Sequence, residues 1–311
     1  MKRAHPFGAR STADEVLAGL DLSGKTFLVT GCNSGIGLET VRALGARGGQ
    51  VIGLARTLES AREAGARAGG AFTPVACDLA DLDSVEEAIQ VIRGLGRPLD
   101  AVVANAGIMG PPKLTVRYGV ELQFLVNHVG HFALIQGLLD RVPDGTGRIV
   151  VVSSNSSIHQ APRKGILFDN LDGHRGYKPF AFYGQSKLAN VLFARELSRR
   201  LAPRRIAVNS LHPGAVGGTH LSRSVGFPFT LIVPLVQWLM KTVPQGTATQ
   251  VLLAASPHAE GITGEYWADC HVAKGSRHLD DEAMATRLWK VTEDLLARHR
   301  AGALPAKATA S

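Results

Sequence analysis

The chain has 311 residues, of which 45% are hydrophobic, 19% charged and 6% aromatic, with 35 glycines. That apolar share excludes a disordered chain. The length suits a single α/β domain, although about 150 residues per domain would allow two. The formal net charge of +8 is dispersed. Its densest run, Arg195–Arg205, reads as the end of one helix, where the dipole favours cations, so no nucleic-acid partner is expected.

Cys32, Cys77 and Cys270 show no CxxC spacing, which points to a reducing, cytoplasmic setting. The opening MKRAHPFGARSTADEV has no apolar core of a signal peptide. The longest apolar run, Thr230–Met240, is about half a membrane span, so no transmembrane segment is expected.

In chain order, residues 1–24 read as an N-terminal extension. Strands are predicted at Phe27–Thr30, Val51–Leu54, Phe72–Ala76, Ala101–Ala104, Arg148–Val152 and Ile206–Leu211, with a seventh at Glu265–Ala268. Their near-continuous apolar character is what a parallel sheet buried on both faces requires. Helix-length stretches alternate with them. Ser84–Gly94 carries Val85, Ala88, Ile89 and Ile92 at helical spacing, with Asp83 and Glu86 as its capping box. The pattern predicts an α/β fold, a doubly wound parallel sheet of about seven strands with helices on both faces. One domain is expected over 25–300, with a substrate lid near 215–245 and a flexible tail at 301–311. Residues 155–182 and 215–245 are too long for ordinary βα connections and are expected to carry function.

The chemistry begins at the first strand. Phe27–Thr30 runs directly into Gly31-Cys32-Asn33-Ser34-Gly35-Ile36-Gly37 and then a helical stretch. Glycines in a strand–turn–helix junction let the backbone approach a pyrophosphate at the helix N-terminus. The loop lacks the Lys-Ser/Thr pair of a phosphate-cradling NTPase loop. Tyr183 and Lys187 stand at i and i+4 on one helix face. Ser154 closes the strand Arg148–Val152, and strand C-terminal ends face the cofactor crevice in a doubly wound sheet. Ser154, Tyr183 and Lys187 are therefore expected to converge there. His128 and His131 lie three apart with no third ligand at matching spacing, so no metal site is expected. No G-x-S-x-G elbow supports a hydrolase.

Taken together, these motifs resemble the short-chain dehydrogenase/reductase family, over about Leu22 to Leu296, and its retinol-dehydrogenase-like branch most of all. The resemblance implies a Rossmann-type fold. It implies cofactor contacts at Gly31, Asn33, Ser34, Gly35, Ile36 and Gly37, at Asp78 and Leu79 beside the adenine, and at the sheet-stabilising Asn105-Ala106-Gly107. It further implies contacts at Pro213 and Gly214 beside the nicotinamide, and at Val216 and Thr219 beyond, Thr219 standing one residue later than that branch's usual threonine. Asn127, Ser154, Tyr183 and Lys187 match its catalytic tetrad. In that scheme Lys187 also binds the nicotinamide ribose, Ser154 bonds the substrate oxygen, and Asn127 anchors a proton-relay water.

The expected activity is hydride transfer between a nicotinamide cofactor and an apolar aldehyde or ketone, or the matching alcohol. The alternatives are a non-catalytic NADP-binding sensor and a non-redox dehydratase or epimerase. An ammonium and an oxidised nicotinamide beside Tyr183 are expected to lower its pKa by about three units, worth on the order of 4 kcal/mol. The second strand ends Gly53-Leu54-Ala55-Arg56, with Ala55 at the acidic position of NAD enzymes and Arg56 beside it, so NADP(H) is favoured and NAD(H) left open. Phe227, Phe229, Leu231, Ile232, Leu235 and Trp238 give the lid an apolar wall. The helix after Tyr183 carries more apolar residues (Leu188, Val191, Leu192, Phe193, Leu197, Leu201) than one sheet covers, and a homodimer or homotetramer is expected.

Overall fold

Eight strands line up in the order β10-β9-β8-β7-β4-β1-β2-β3 in the computed structural model, which describes residues 5–217, 240–275, 277–304 and 309–310. They are β1 (Thr26–Thr30), β2 (Gln50–Ala55), β3 (Phe72–Ala76), β4 (Ala101–Ala104), β7 (Arg148–Val152), β8 (Ala207–His212), β9 (Tyr266–Ala268) and β10 (His271–Val272). All neighbours are parallel except β9 and β10, which form an antiparallel edge. The expected seven strands become eight because His271–Val272 is only two residues long, too short for a period to show. Thr115–Arg117 (β5) and Val120–Glu121 (β6) make a small second sheet. Within the tail expected to be flexible, Thr309–Ala310 (β11) pair antiparallel with β5.

Every residue of β1 and β4 is buried, as a strand covered on both faces must be. β3 lies at the sheet edge and is half-exposed, and there Pro74 leaves no ladder bond unmade. One face is covered by α4 (Leu82–Gly94), α5 (Leu122–Phe124) continuing through a π-helical turn at Leu125–Val129 into α6 (Gly130–Leu138), the short α7 (Ser156–His159), and α8 (Pro179–Arg200). The other is covered by α1 (Ala13–Val16), α2 (Gly35–Gly45), α3 (Leu58–Ala68) and α9 (Val243–Ala255). Among the described helices, Leu122–Arg141 alone is long and apolar enough to cross a membrane, and it is mostly buried in this core.

One expectation needs correction, and the residues that carried another are buried within the chain. The capping box expected from Asp83 and Glu86 is not used. Asp81 caps α4, its carboxylate accepting from the Asp83 amide at 3.1 Å, and the helix starts at Leu82. The apolar excess of α8, assigned above to a second subunit, is taken up within the chain. Leu188, Val191, Leu192, Phe193, Leu197 and Leu201 are all buried. The C-terminal helix α10 (Glu282–Arg300) lies over them, with Trp289 stacked on Phe193 and edge-on to Phe132. A sequence window around one helix cannot show a covering helix about 90 residues downstream.

Candidate active site

The C-terminal ends of β1, β4, β7 and β8 open on one crevice, where the chain reverses direction across the sheet between β1 and β4. At its floor Gly31 takes a left-handed φ of +67°, and a Cβ there would stand 3.0 Å from the Ala106 backbone. A Cβ on Gly37 would stand 2.0 Å from the Gly31 carbonyl oxygen, so that position admits glycine alone. Ser34 caps α2 without a side-chain bond, leaving the first amides of an 11-residue helix open toward the crevice. Asn33 is exposed, Ser34, Gly35 and Ile36 are half-buried, and Gly37 is buried. Arg67 on α3 donates to the Asn33 carbonyl at 3.3 Å and braces this turn. Asn105 donates through its amide to the Thr30 carbonyl at 2.9 Å, tying the end of β4 to that of β1.

Arg56 is exposed just beyond β2. The Asp78 carboxylate accepts from the Ala80 amide at 3.0 Å, and the Leu79 carbonyl faces Gly130 so closely that a Cβ on Gly130 would stand 2.5 Å from it. Gly107 keeps a passage open, since a Cβ there would stand 3.1 Å from Asn127 Oδ1 and 3.3 Å from Lys187 Nζ. Beyond β8, Pro213 leads to Gly214 at φ +95°, packed on the Lys241 stem. Val216 bridges to Lys241, whose ammonium pairs with Asp269 at 2.6 Å. Thr219 and the apolar lid residues Phe227, Phe229, Leu231, Ile232, Leu235 and Trp238 lie outside the described residues.

Tyr183 and Lys187 share one face of α8, and both are 3% exposed. The Lys187 ammonium donates to the Val152 carbonyl at 3.0 Å and stands 5.9 Å from the centre of the Tyr183 ring. Burial pulls the Lys187 amine down to about 8. Burial pushes the Tyr183 phenol up to about 12, against the lowering effect of its hydrogen bond with Ser154. The expected downward shift of Tyr183 is thus reversed in the protein alone. Desolvation of the phenolate outweighs the Ser154 hydrogen bond. Asn127 sits in the π turn, and its side-chain amide is fully engaged. Its oxygen accepts from Ile108 N at 2.8 Å, and its nitrogen donates to Ile108 O at 3.0 Å and Ser186 Oγ at 2.9 Å. Its backbone carbonyl lies 3.0 Å from His131 Nδ1.

Cys32 is a packing residue. It is fully buried, and burial pushes its thiol up to about 12, which leaves no thiolate for chemistry. Among the described residues no group of histidine, cysteine and carboxylate side chains could hold a metal ion.

The model of the short chain dehydrogenase family matches residues 25–166. The short-chain dehydrogenase TIC 32 B of Brassica napus, described as chloroplastic, is 36% identical over 296 residues, covering 91% of this chain and 92% of that protein. The chain belongs to the short-chain dehydrogenase family. Human retinol dehydrogenase 14 is 38% identical over 295 residues, 88% of this chain and 86% of the relative. A blue fluorescent protein from a metagenomic library, solved in complex with NADPH, superposes with a TM-score of 0.60 at 28% identity, covering 80% of this chain and 97% of that one.

Within this family site, three residues escaped the sequence reading: Arg67, Ser186 and Lys241. Ser186 joins the tetrad by donating to the Tyr183 carbonyl at 2.8 Å while accepting from Asn127. Its position three residues after Tyr183 is a signal of sorts. Arg67 and Lys241 carry none, because the chain brings them back from 34 and 27 residues away.

Proposed function

We propose that this short-chain dehydrogenase uses NADP(H) to interconvert apolar aldehydes or ketones with their alcohols, with Tyr183 as the proton donor and acceptor. The observation that carries the reading is the convergence of Ser154, Tyr183 and Lys187 at the strand ends above a glycine turn that only an extended, close-lying ligand could use. The turn Gly31–Gly37 and the open N-terminus of α2 suit a pyrophosphate, and Asp78, Asn105 and Gly107 line the path beyond it. When bound, the nicotinamide supplies or accepts the hydride. With its phenol held near 12, Tyr183 is protonated at neutral pH, which is the form that protonates a carbonyl oxygen. Ser154 shares the hydrogen bond with Tyr183 and presents a second hydroxyl to the same oxygen. Lys187, charged below about 8, supplies the cation that favours the phenolate when the reaction runs toward oxidation.

NADP(H) over NAD(H) is supported by Arg56 beside Ala55, since a carboxylate at the end of β2 would repel a 2′-phosphate and a guanidinium attracts it. The structural relative solved with NADPH agrees. An apolar substrate is supported by the composition of residues 221–240 and by Phe180, which is 44% exposed one helical turn before Tyr183 and rests on Gly110. Free, buried Cys32, Cys77 and Cys270 support a reducing, cytoplasmic setting. The test is oxidation of NADPH and NADH against a homologous series of straight-chain aldehydes. The reading requires kcat/KM to rise as carbons are added; best activity on small polar carbonyls overturns the substrate class, and none on any carbonyl or alcohol overturns the activity.

A further inference from the structure

His131 lies in the buried core of α6, 1% exposed, and the reaction scheme above leaves it unused. Its Nε2 stands 2.8 Å from Thr30 Oγ1, and its Nδ1 stands 3.0 Å from the backbone carbonyl of Asn127. Thr30 is the last residue of β1, immediately before Gly31 of the nucleotide turn. Its hydroxyl oxygen already accepts two backbone amides, Asn105 N at 2.9 Å and Ala106 N at 3.0 Å. One proton remains to Thr30. The Val103 carbonyl is 3.5 Å away and His131 Nε2 is 0.7 Å nearer. The hydroxyl therefore donates to Nε2, and Nδ1 must carry the ring proton.

The other end demands the same tautomer. A carbonyl oxygen only accepts, so the contact with Asn127 requires a proton on Nδ1. Burial and the Lys187 ammonium lower the His131 pKa to about 4, which keeps the ring neutral through the working range. Two backbone amides, one hydroxyl and one imidazole thus form a directed chain. It runs from the Asn105–Ala106 segment through Thr30 and His131 to the main chain of Asn127. The π turn matters here: Gly130 bonds back to the Leu125 carbonyl, the wider turn sets Asn127 at its centre, and His131 ties that turn to β1.

We infer that His131 is a positioning residue, a neutral Nδ1–H imidazole that fixes the Asn127 carbonyl, and with it the Asn127–Ser186–Tyr183 chain, to the floor of the cofactor crevice. Its consequence for catalysis rests on the proposed reductase reading; the tautomer does not. The seating of the nucleotide turn and the geometry of the proton-handling residues are then one connected unit, in which a shift of Thr30 is felt at Tyr183.

The experiment has two parts. In the first, histidine-15N-labelled protein is examined by NMR, with His131 assigned by its loss in His131→Asn. The expected result is a protonated Nδ1 and a bare Nε2, unchanged between pH 6 and about 8. An Nε2–H tautomer or a charged ring overturns the inference whether or not any substrate is turned over. In the second, His131→Asn and His131→Gln are compared at saturating NADPH and aldehyde. Asparagine places an N–H where Nδ1 was and keeps the Asn127 contact. Glutamine reaches Thr30 and loses the contact with Asn127. Each variant breaks the tie at one end, so both are expected to lower kcat by about 10²-fold at unchanged KM, the cost of a small misplacement. A wild-type kcat in either variant overturns the inference. An inactive wild-type enzyme overturns the proposed function instead, leaving the NMR result to decide this one.

Discussion

Lys187 turns its ammonium to the Val152 carbonyl at 3.0 Å, with no carboxylate among the groups that set its pKa. Burial alone therefore lowers the amine from 10.5 to about 8. Below about 8 it is charged in both the folded and unfolded chain, and its contribution to stability is constant. Between about 8 and 10.5 the unfolded chain binds more protons, so stability rises with pH across that window. Activity moves the other way. The kcat/KM for NADPH, which reports the free enzyme, is expected to fall on a limb centred near 8 as the cation is lost. Lys187→Met should remove that limb and lower turnover by about 10²-fold. Persistence of the same limb in the methionine variant would assign it to another group.

The glycine turn gives a second test, on binding alone. A Cβ on Gly37 would stand 2.0 Å from the Gly31 carbonyl oxygen and 2.6 Å from Asn105 Nδ2, neither of which can retreat without breaking the tie between β1 and β4. Gly37→Ala is expected to cost about 1–3 kcal/mol of stability and to weaken NADPH binding at least about tenfold, as read by nucleotide fluorescence. Gly94→Ala, where a Cβ meets nothing within 4 Å on α4, is the control. It should leave binding unchanged and raise Tm slightly, since alanine favours a helix by about 0.8–1.0 kcal/mol over glycine. Equal nucleotide affinity in Gly37→Ala and the wild type would mean that the turn does not cradle the cofactor.

The sheet was legible in the sequence because each central strand is buried on both faces. An unbroken apolar run such as Ile149–Val152 has no other use beside glycine turns. The motif residues were legible because the fold puts chemistry at strand ends, where Asn105 follows an apolar run directly and Ser154 follows one after a single residue. What could not be read was set by distant partners. The direction of the Tyr183 shift depends on how deeply α8 is covered, the Asp81 cap on whether Asp81 or Asp83 precedes the first helical φ/ψ pair, and the fate of the α8 apolar face on α10. His131 was visible as a residue but its role was not, because Thr30 is 101 positions away.

Arg56 supplies the prediction on cofactor choice. It is exposed at the end of β2, next to an alanine where a ribose-binding carboxylate would stand in an NAD enzyme. Arg56→Asp removes the guanidinium and adds that carboxylate. A charge-assisted hydrogen bond is worth about 1.5–3 kcal/mol, so the ratio of NADPH to NADH affinity is expected to fall by one to two orders of magnitude. Arg67→Ala, which frees the Asn33 carbonyl, should weaken both cofactors alike because the turn holds the shared pyrophosphate. Titration of both nucleotides against the three proteins decides it; tighter NADH than NADPH binding by the wild type would remove the basis of the preference.

The C-terminal helix carries the last prediction. Trp289 of α10 is 4% exposed, lies 4.8 Å edge-on to Phe132 and 5.9 Å from Phe193, and is covered by the Arg200 guanidinium 4.1 Å from its ring centre. On this helix, His128 of the π turn bonds Thr292 at 3.0 Å. The outer faces of α6 and α8 are thus already occupied by the chain itself, and a subunit contact through them would have to displace α10. Trp289→Ala removes a buried aromatic from three partners at once and is expected to cost about 3–5 kcal/mol, a fall in Tm of several degrees for a chain of this size. The wild type is expected to sediment as one 32.9 kDa species at micromolar concentration. A variant ending at Asp280 uncovers Phe132 and Phe193 and should self-associate, because the apolar surface so exposed does not stay in water. If the full chain sediments as a stable dimer, another surface serves as the contact. If the shortened chain stays monomeric and equally stable, α10 is not what covers the core.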